Sequence, residues 1–363
     1  MNRFYLRPTA FVDAPFGFDG QVLRLAGGSV WFAAIELIRT AEGRRAGAEL
    51  IPVDRIEERL AAMPAAERAD ATATLARIVA PRAPLRLGER IVRLDTPQVM
   101  AILNVTPDSF SDGGRHEDPA DAAGIGVSMA ADGAAIIDIG GESTRPGAAT
   151  VWEGDEIARV VPAIQRLASA GVAISIDTRK AAVMEAALRA GAHLVNDVSG
   201  LTYDPASMGL MAASEVPVVL MHHRGTPATM KDAAPYVSVL TEVYDWLEQR
   251  IAACEAAGIA GSRLIVDPGI GFGKRVHDSL ALINGLSIFH GLGCPIVLGA
   301  SRKRLIGALA NEAPVDRRLG GSVALALAGA QQGAQLLRVH DAFETVQALK
   351  IWRGQRDVAL TPT

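Results

Sequence analysis

The stretch Met100-Ala-Ile-Leu-Asn-Val-Thr-Pro-Asp-Ser-Phe-Ser-Asp-Gly-Gly114 decides how the rest of the chain reads. Its apolar run ends at Asn104, and the Pro, Asp, Ser and Gly that follow suit neither strand nor helix, so a strand empties into a loop. The same event recurs down the chain. Ile136-Ile137 ends at Asp138, Ala173 to Ile176 at Asp177, Leu194-Val195 at Asn196-Asp197, and Val218 to Met221 at His222. Ile265-Val266 then ends at Asp267, Ile296 to Leu298 at Gly299, and Leu336-Leu337 at Arg338. Helical patterns fall between these runs, at about 119–132, 152–170, 180–190, 205–214, 235–257, 277–290, 317–332 and 341–353. Near-continuous apolar strands alternating with helices make a parallel sheet covered by helices. Eight such units predict an α/β fold of the (β/α)8 TIM barrel type. An open doubly wound sheet is the alternative, because strand count alone does not establish closure. In a barrel, every polar strand tip converges on one mouth.

A chain of 363 residues with 49% hydrophobic and 21% charged residues can bury a large core. The net charge of -4 carries no polyanion-binding signal, so no nucleic-acid partner is expected. No uncharged apolar run reaches membrane-spanning length, and the N-terminus lacks the apolar core of a signal peptide. Two cysteines, Cys254 and Cys294, make no disulfide framework, which suits a reducing cytoplasm. Only five of the 36 basic residues are lysines, and three of them, Lys180, Lys274 and Lys303, lie just after strand ends.

Two domains are expected, an N-terminal extension of unknown role over 1–84 and the barrel over 85–363. The extension is predicted to be mixed or mainly helical. Arg55 to Met63 and Ala65 to Ala80 read as helices broken at Pro64, and Ser29 to Arg39 suits helix or strand. Pro81 and Pro84 mark the boundary, and Leu85 to Leu94 suits a small hairpin capping the barrel's bottom. The helix at 235–257 puts Cys254 on its apolar face, hence in the core.

The strand tips divide by charge. Asp177, Asn196 and Asp267 supply acceptors; Arg145, Lys303, Arg338 and His340 supply donors and positive charge. That division suits a ligand with a donor-rich ring at one end and an anion at the other. A single strand-end Asp is as readily a helix cap, but three on one rim weaken that reading. Gly140 to Gly147 offers hydroxyls, a carboxylate and a guanidinium between glycines, which alone suits a turn as well as a phosphate loop. Asp267 to Lys274 superficially matches a dinucleotide fingerprint but lacks its spacing. Phe272 either lines a flat ring or packs in the core. Ser301 and Lys303 open a short helix, where backbone N–H groups attract anions. Adjacent His222 and His223 point to opposite sides, which argues against a shared metal and leaves them as wall or packing residues.

Taken together, Ile102 to Gly114, Gly140 to Gly147, Ile176-Asp177-Thr178 with Lys180, Asn196-Asp197, Asp267 to Lys274, Ser301 to Lys303 and Arg338 to Asp341 resemble the dihydropteroate synthase family of pterin-binding enzymes. The resemblance covers roughly residues 96–355. It implies condensation of 6-hydroxymethyl-7,8-dihydropterin diphosphate with 4-aminobenzoate, giving 7,8-dihydropteroate and pyrophosphate in folate biosynthesis. It further implies that Asp177, Asn196, Asp267 and Lys303 hold the pterin, with Phe272 lining its pocket. Asn104 would engage Mg2+ and diphosphate, and Thr144, Arg338 and His340 would bind the diphosphate. Ser301, Arg145 and Pro146 would form the aminobenzoate site, and a homodimer is implied. The catalytic set is then Asn104, Asp177, Lys303, Arg338 and His340. A methyltransferase acting on methyltetrahydrofolate, or a silent pterin-binding paralogue, would not need the Arg338-Val339-His340 cluster that this chain carries.

Overall fold

The computed structural model describes residues 3–106, 119–143, 150–225 and 235–361. An antiparallel sheet comes first, built from β1 (Arg3–Val12), β2 (Leu23–Arg24), β3 (Trp31–Ala41) and β4 (Arg44–Pro52), with β3 central. Helices α1 (Ile56–Ala61) and α2 (Ala65–Val79) follow, parted at Pro64 as the pattern predicts. The extension is therefore mixed, and strand outweighs helix in it. The ambiguous Ser29–Arg39 run resolves as β3, which pairs on both edges and buries apolar residues of both parities, so no alternation marks it as strand. β1 is an edge strand that carries Pro8 in register opposite Ile35, a position where a missing N–H is tolerated. β4 is exposed at all but one residue, so it has no apolar alternation to reveal it.

A hairpin of β5 (Leu85–Leu87) and β6 (Arg90–Val92) leads into eight parallel strands. These are β7 (Gln98–Asn104), β8 (Ile136–Gly140), β9 (Ile174–Asp177), β10 (Leu194–Asp197), β11 (Val218–Met221), β12 (Leu264–Asp267), β13 (Val297–Leu298) and β14 (Leu336–Val339). Each pairs with the next from β7 to β12, and β13 pairs with β14, which returns to β7. A parallel bridge between Val266 and Ile296 closes the last seam, so the eight strands form a barrel rather than an open sheet. Around it lie α3 (Pro119–Ala131), α4 (Glu153–Ser169), α5 (Ala181–Ala190), α6 (Pro205–Ala213), α7 (Val239–Ala256), α8 (Val276–Asn284), α9 (Arg304–Leu309), α10 (Leu319–Gln331) and α11 (Ala342–Ala359). Local chemistry sets their ends: Asp204 accepts from Ala206 N at 2.9 Å ahead of Pro205, and Gly191 stops α5 in the left-handed region at φ 112°.

One parity organises the barrel interior. Met100, Ile136, Ala173, Leu194, Val219, Ile265, Val297 and Leu336 form a bottom layer, and the β5–β6 hairpin plugs it with Leu85, Leu87, Val92 and Leu94. Side chains alternate along a strand, so positions two and four residues further on face the same interior. That rule leads from Ile136 to Asp138, from Ala173 to Asp177, from Leu194 to Asn196, and from Ile265 to Asp267. It also leads from Leu336 to Arg338 and His340, from Val297 to Ser301, and from Met100 to Asn104. The apolar floor thus aims these tips at the mouth, whereas His222, three residues beyond Val219, takes the opposite parity.

The extension shares its core with the barrel, from Phe32 and Ile35 in β3 to Phe289 and Ile296 near β13. Cys254 is buried, as expected. No helix among the described residues is long and apolar enough to cross a membrane.

Candidate active site

Arg338 crosses the mouth from β14 and reaches two strands and three strands away. Its Nε donates to Asp138 Oδ2 and its Nη2 to Asp177 Oδ2, both at 2.6 Å. Asn196 Nδ2 donates to the same Asp138 oxygen at 3.0 Å. The acceptor and donor groups that the sequence separates into two ends therefore touch, because a guanidinium fork is long enough to bridge from β14 to β8 and β9. The other oxygens, Oδ1 of Asp138 and of Asp177, are buried without a hydrogen-bond partner among the described residues.

Burial pushes the Asp177 carboxyl up to about 7; the nearby Asp138 carboxylate adds to this and Arg338 opposes it. Burial works against the charge on Arg338 as well, yet Asp138 and Asp177 outweigh it and hold the guanidinium above its ordinary value. On the far side, burial raises Asp267 and lowers Lys303 to about 8, each softened by the other's charge. Asp267 Oδ1 accepts from Gly269 N at 2.7 Å. Lys303 donates to the carbonyl of Ile270, and its ammonium lies 4.4 Å from the ring centroid of Phe272. Phe272 is thus a half-buried wall of the rim rather than core.

Ser301 and His340 form a second pair, with Ser301 Oγ 3.1 Å from His340 Nδ1 and accepting from His340 N at 3.2 Å. Asn104 stands at the end of β7. A Cβ placed on Gly140 would lie 3.7 Å from both Asn104 Oδ1 and Asp177 Cβ, so glycine keeps the two side chains on either side of one small gap. Asn104 offers an amide oxygen that no described side chain occupies, and hard oxygen donors suit Mg2+, which typically takes one or two protein ligands plus phosphate and water. Among the described residues no cluster of three His, Cys, Asp or Glu could hold a metal alone. Thr144, Arg145 and Pro146 lie outside the described residues.

Asp138 is the residue missing from the sequence-derived set. It ends an apolar run like the others, and the two-residue step from Ile136 would have placed it. Lys180, noted for its position, belongs elsewhere: its Nζ binds Glu156 at 2.6 Å, Glu142 at 3.2 Å and the carbonyl of Val151 at 2.7 Å. His222 is buried against Trp246 with ring centroids 5.0 Å apart, the packing role, while the half-buried His223 bonds the carbonyl of Gly225 through Nδ1 at 2.9 Å.

The family model described as pterin binding enzyme matches residues 100–340. The chain is 46% identical to the dihydropteroate synthase of Escherichia coli (strain K12) over 259 residues, 71% of this chain and 91% of that protein. The Mycobacterium leprae enzyme of the same name is 45% identical, covering 70% and 92%. In structure, dihydropteroate synthase of Xanthomonas albilineans with 4-aminobenzoic acid superposes with a TM-score of 0.71 at 46% identity, covering 75% of this chain and 98% of that one. A structure of that enzyme with 7,8-dihydropteroate gives 0.69 at 43% identity, covering 77% and 100%. The chain belongs to the pterin binding enzyme family, on its dihydropteroate synthase branch.

Proposed function

We propose that the barrel mouth joins 6-hydroxymethyl-7,8-dihydropterin diphosphate to 4-aminobenzoate, the dihydropteroate synthase reaction of folate biosynthesis, with the following roles. Asp177, Asn196 and Asp267 accept and donate at the edge of the pterin, Lys303 binds its oxygen, and Phe272 closes over the ring. The buried orphan oxygen of Asp177 supports this, since an N–H donor is what such an oxygen lacks. Arg338 spends Nε and Nη2 on carboxylates, leaving Nη1 to face the diphosphate together with His340 and Thr144. Ser301, Arg145 and Pro146 take the aminobenzoate. Asp138 orients Arg338 and Asn196.

In the reaction the C–O bond to diphosphate breaks, the aniline nitrogen forms the new C–N bond, and its surplus proton leaves to water. Arg338 and His340 stabilise the departing charge, and no enzyme nucleophile is required. Asn104 would hold Mg2+, which when bound neutralises diphosphate charge.

The observation that carries the reading is Arg338 gripping two inward carboxylates on the rim that also carries Asp267 and Lys303. The test incubates the purified protein with both substrates and Mg2+, omitting each in turn, and measures pyrophosphate and dihydropteroate. Products only in the complete mixture are expected; tight pterin binding without product would move the weight to a methyltransferase or a silent paralogue.

A homodimer and a cytoplasmic setting are part of the same proposal. Phe343, Ile351 and Val358 on α11 are 54%, 64% and 71% exposed, a stripe suited to a second copy. Light scattering at micromolar protein should give twice the chain mass. Both cysteines are buried and free, which fits a reducing compartment. Residues 1–84 are proposed as a barrel-bound extension outside the catalytic set.

A further inference from the structure

We propose that Lys274 is a positioning residue of the pterin pocket, fixing Phe272 through the backbone of the loop that carries it. This rests on the reading of Phe272 as pocket wall. Lys274 Nζ lies 2.8 Å from His222 Nδ1, 2.8 Å from Gly269 O, 3.1 Å from Phe272 O and 3.2 Å from His222 O. That one amine therefore serves four acceptors, three of them loop carbonyls, of which Gly269 O also accepts from Phe272 N. His222 can accept only as a neutral ring, and burial together with Lys274 pushes it down to about 2.

The loop between Asp267 and Lys274 is shaped for this grip. Gly269, Gly271 and Gly273 adopt φ of 67°, 82° and 63°, where side-chain residues are strained. A Cβ on Gly269 would fall 1.9 Å from His222 O, and one on Gly273 would fall 2.1 Å from Arg224 O, so the loop lies directly on the segment after β11. Lys274 ties those two pieces together, while Lys303 holds the opposite side through Ile270 O and the Phe272 ring. The spacing of the two lysines fixes where that ring stands.

The test is a double-mutant cycle between Lys274→Met and Phe272→Ala, with KM for the dihydropterin diphosphate, kcat and thermal unfolding measured for each. Lys274→Met alone should raise that KM at least tenfold and change KM for 4-aminobenzoate less. In the Phe272→Ala background it should add less than twofold, because the group it positions is gone. Additive effects on KM would overturn the proposal, as would a general loss of both affinities in step with Tm. If Lys274→Met does not fold, His222→Leu, which removes one acceptor, carries the same cycle with the same criteria. A silent Phe272→Ala would instead overturn the pocket-wall reading and this inference with it, whereas an impaired Phe272→Ala beside a silent Lys274→Met overturns this inference alone.

Discussion

Asp138 Oδ2 and Arg338 Nε stand 2.6 Å apart although 200 positions separate them in the chain, and the same oxygen accepts from Asn196. Asp138 is fully buried, so its charge is tolerable only because the guanidinium is there. Replacing Asp138 with Asn turns one accepting oxygen toward two donors at best and removes the charge that holds Arg338. We expect kcat/KM to fall by about 100-fold, the scale of about 3 kcal/mol for breaking a buried charge-assisted pair. Steady-state kinetics decide it; a loss under threefold would show Arg338 to be held by Asp177 alone.

Asp177 gives a pH prediction with a definite sign. Its carboxyl is raised by burial to about 7, above its ordinary 3.8, so the folded chain holds that proton more tightly than the unfolded chain does. Its contribution to stability is full below about pH 4 and is lost as pH rises through about 7. Binding should run the other way, since ring N–H donors need the ionised carboxylate: pterin affinity climbs up to about pH 7 and then levels. Asp177→Asn should flatten both dependences. Calorimetric titration of pterin from pH 5 to 8 checks it, and an affinity that falls over that range would refute the assignment.

Lys180 predicts a split between the two substrates. Glu142 Oε1 accepts from Val151 N at 2.8 Å, and Lys180 binds both Glu142 and the Val151 carbonyl, so one buried cluster fastens both ends of the segment from 142 to 151. That segment contains Arg145 and Pro146, proposed for the aminobenzoate. Lys180→Met leaves the buried Glu156 without a cation and Glu142 with Arg179 alone, and should cost about 3 kcal/mol of stability. At a temperature where the variant is folded, KM for 4-aminobenzoate should rise about tenfold and KM for the pterin substrate less than threefold. Equal changes in both would mean the cluster acts on the barrel as a whole.

How much of this was legible follows from what each element depends on. All eight barrel strands announce themselves because strands buried on both faces are continuous apolar runs, and the polar residue ending each run is visible in one dimension. Asn196, Asp267 and Arg338 could be found this way. That Arg338 would meet Asp138 could not, since it depends on the last strand, β14, pairing back onto the first, β7, and on a side chain that reaches two strands away. β4 stayed hidden for the opposite reason: its exposed residues carry no pattern, and only pairing with β3 makes it a strand. Lys180 and Lys274 stood out as rare lysines, but their partners lie on other elements.

The extension bears on the barrel's weakest seam. β13 has two residues and meets β12 through a single bridge, yet the loop after it carries Ser301 and Lys303. The 3-10 segment Leu286–Leu292 that feeds β13 is held by the extension: Ser287 Oγ donates to Pro8 O at 2.7 Å, Arg77 Nε to Gly291 O at 2.6 Å, and Arg82 Nη2 to His290 O at 3.1 Å. Arg82 also donates to the carbonyls of Arg77 and Ala80, so Arg82→Met strands those two and leaves His290 O only its bond from Gly293 N, which should cost about 2–4 kcal/mol. If the extension braces this seam, the loss will be local. Amide exchange should quicken over Val297–Lys303 while Ile136–Gly140, on the opposite part of the barrel, keeps its protection, and kcat/KM should fall through Ser301 and Lys303. Uniform quickening would make the extension a general stabiliser, and unchanged exchange at Val297–Lys303 would leave the seam independent of it.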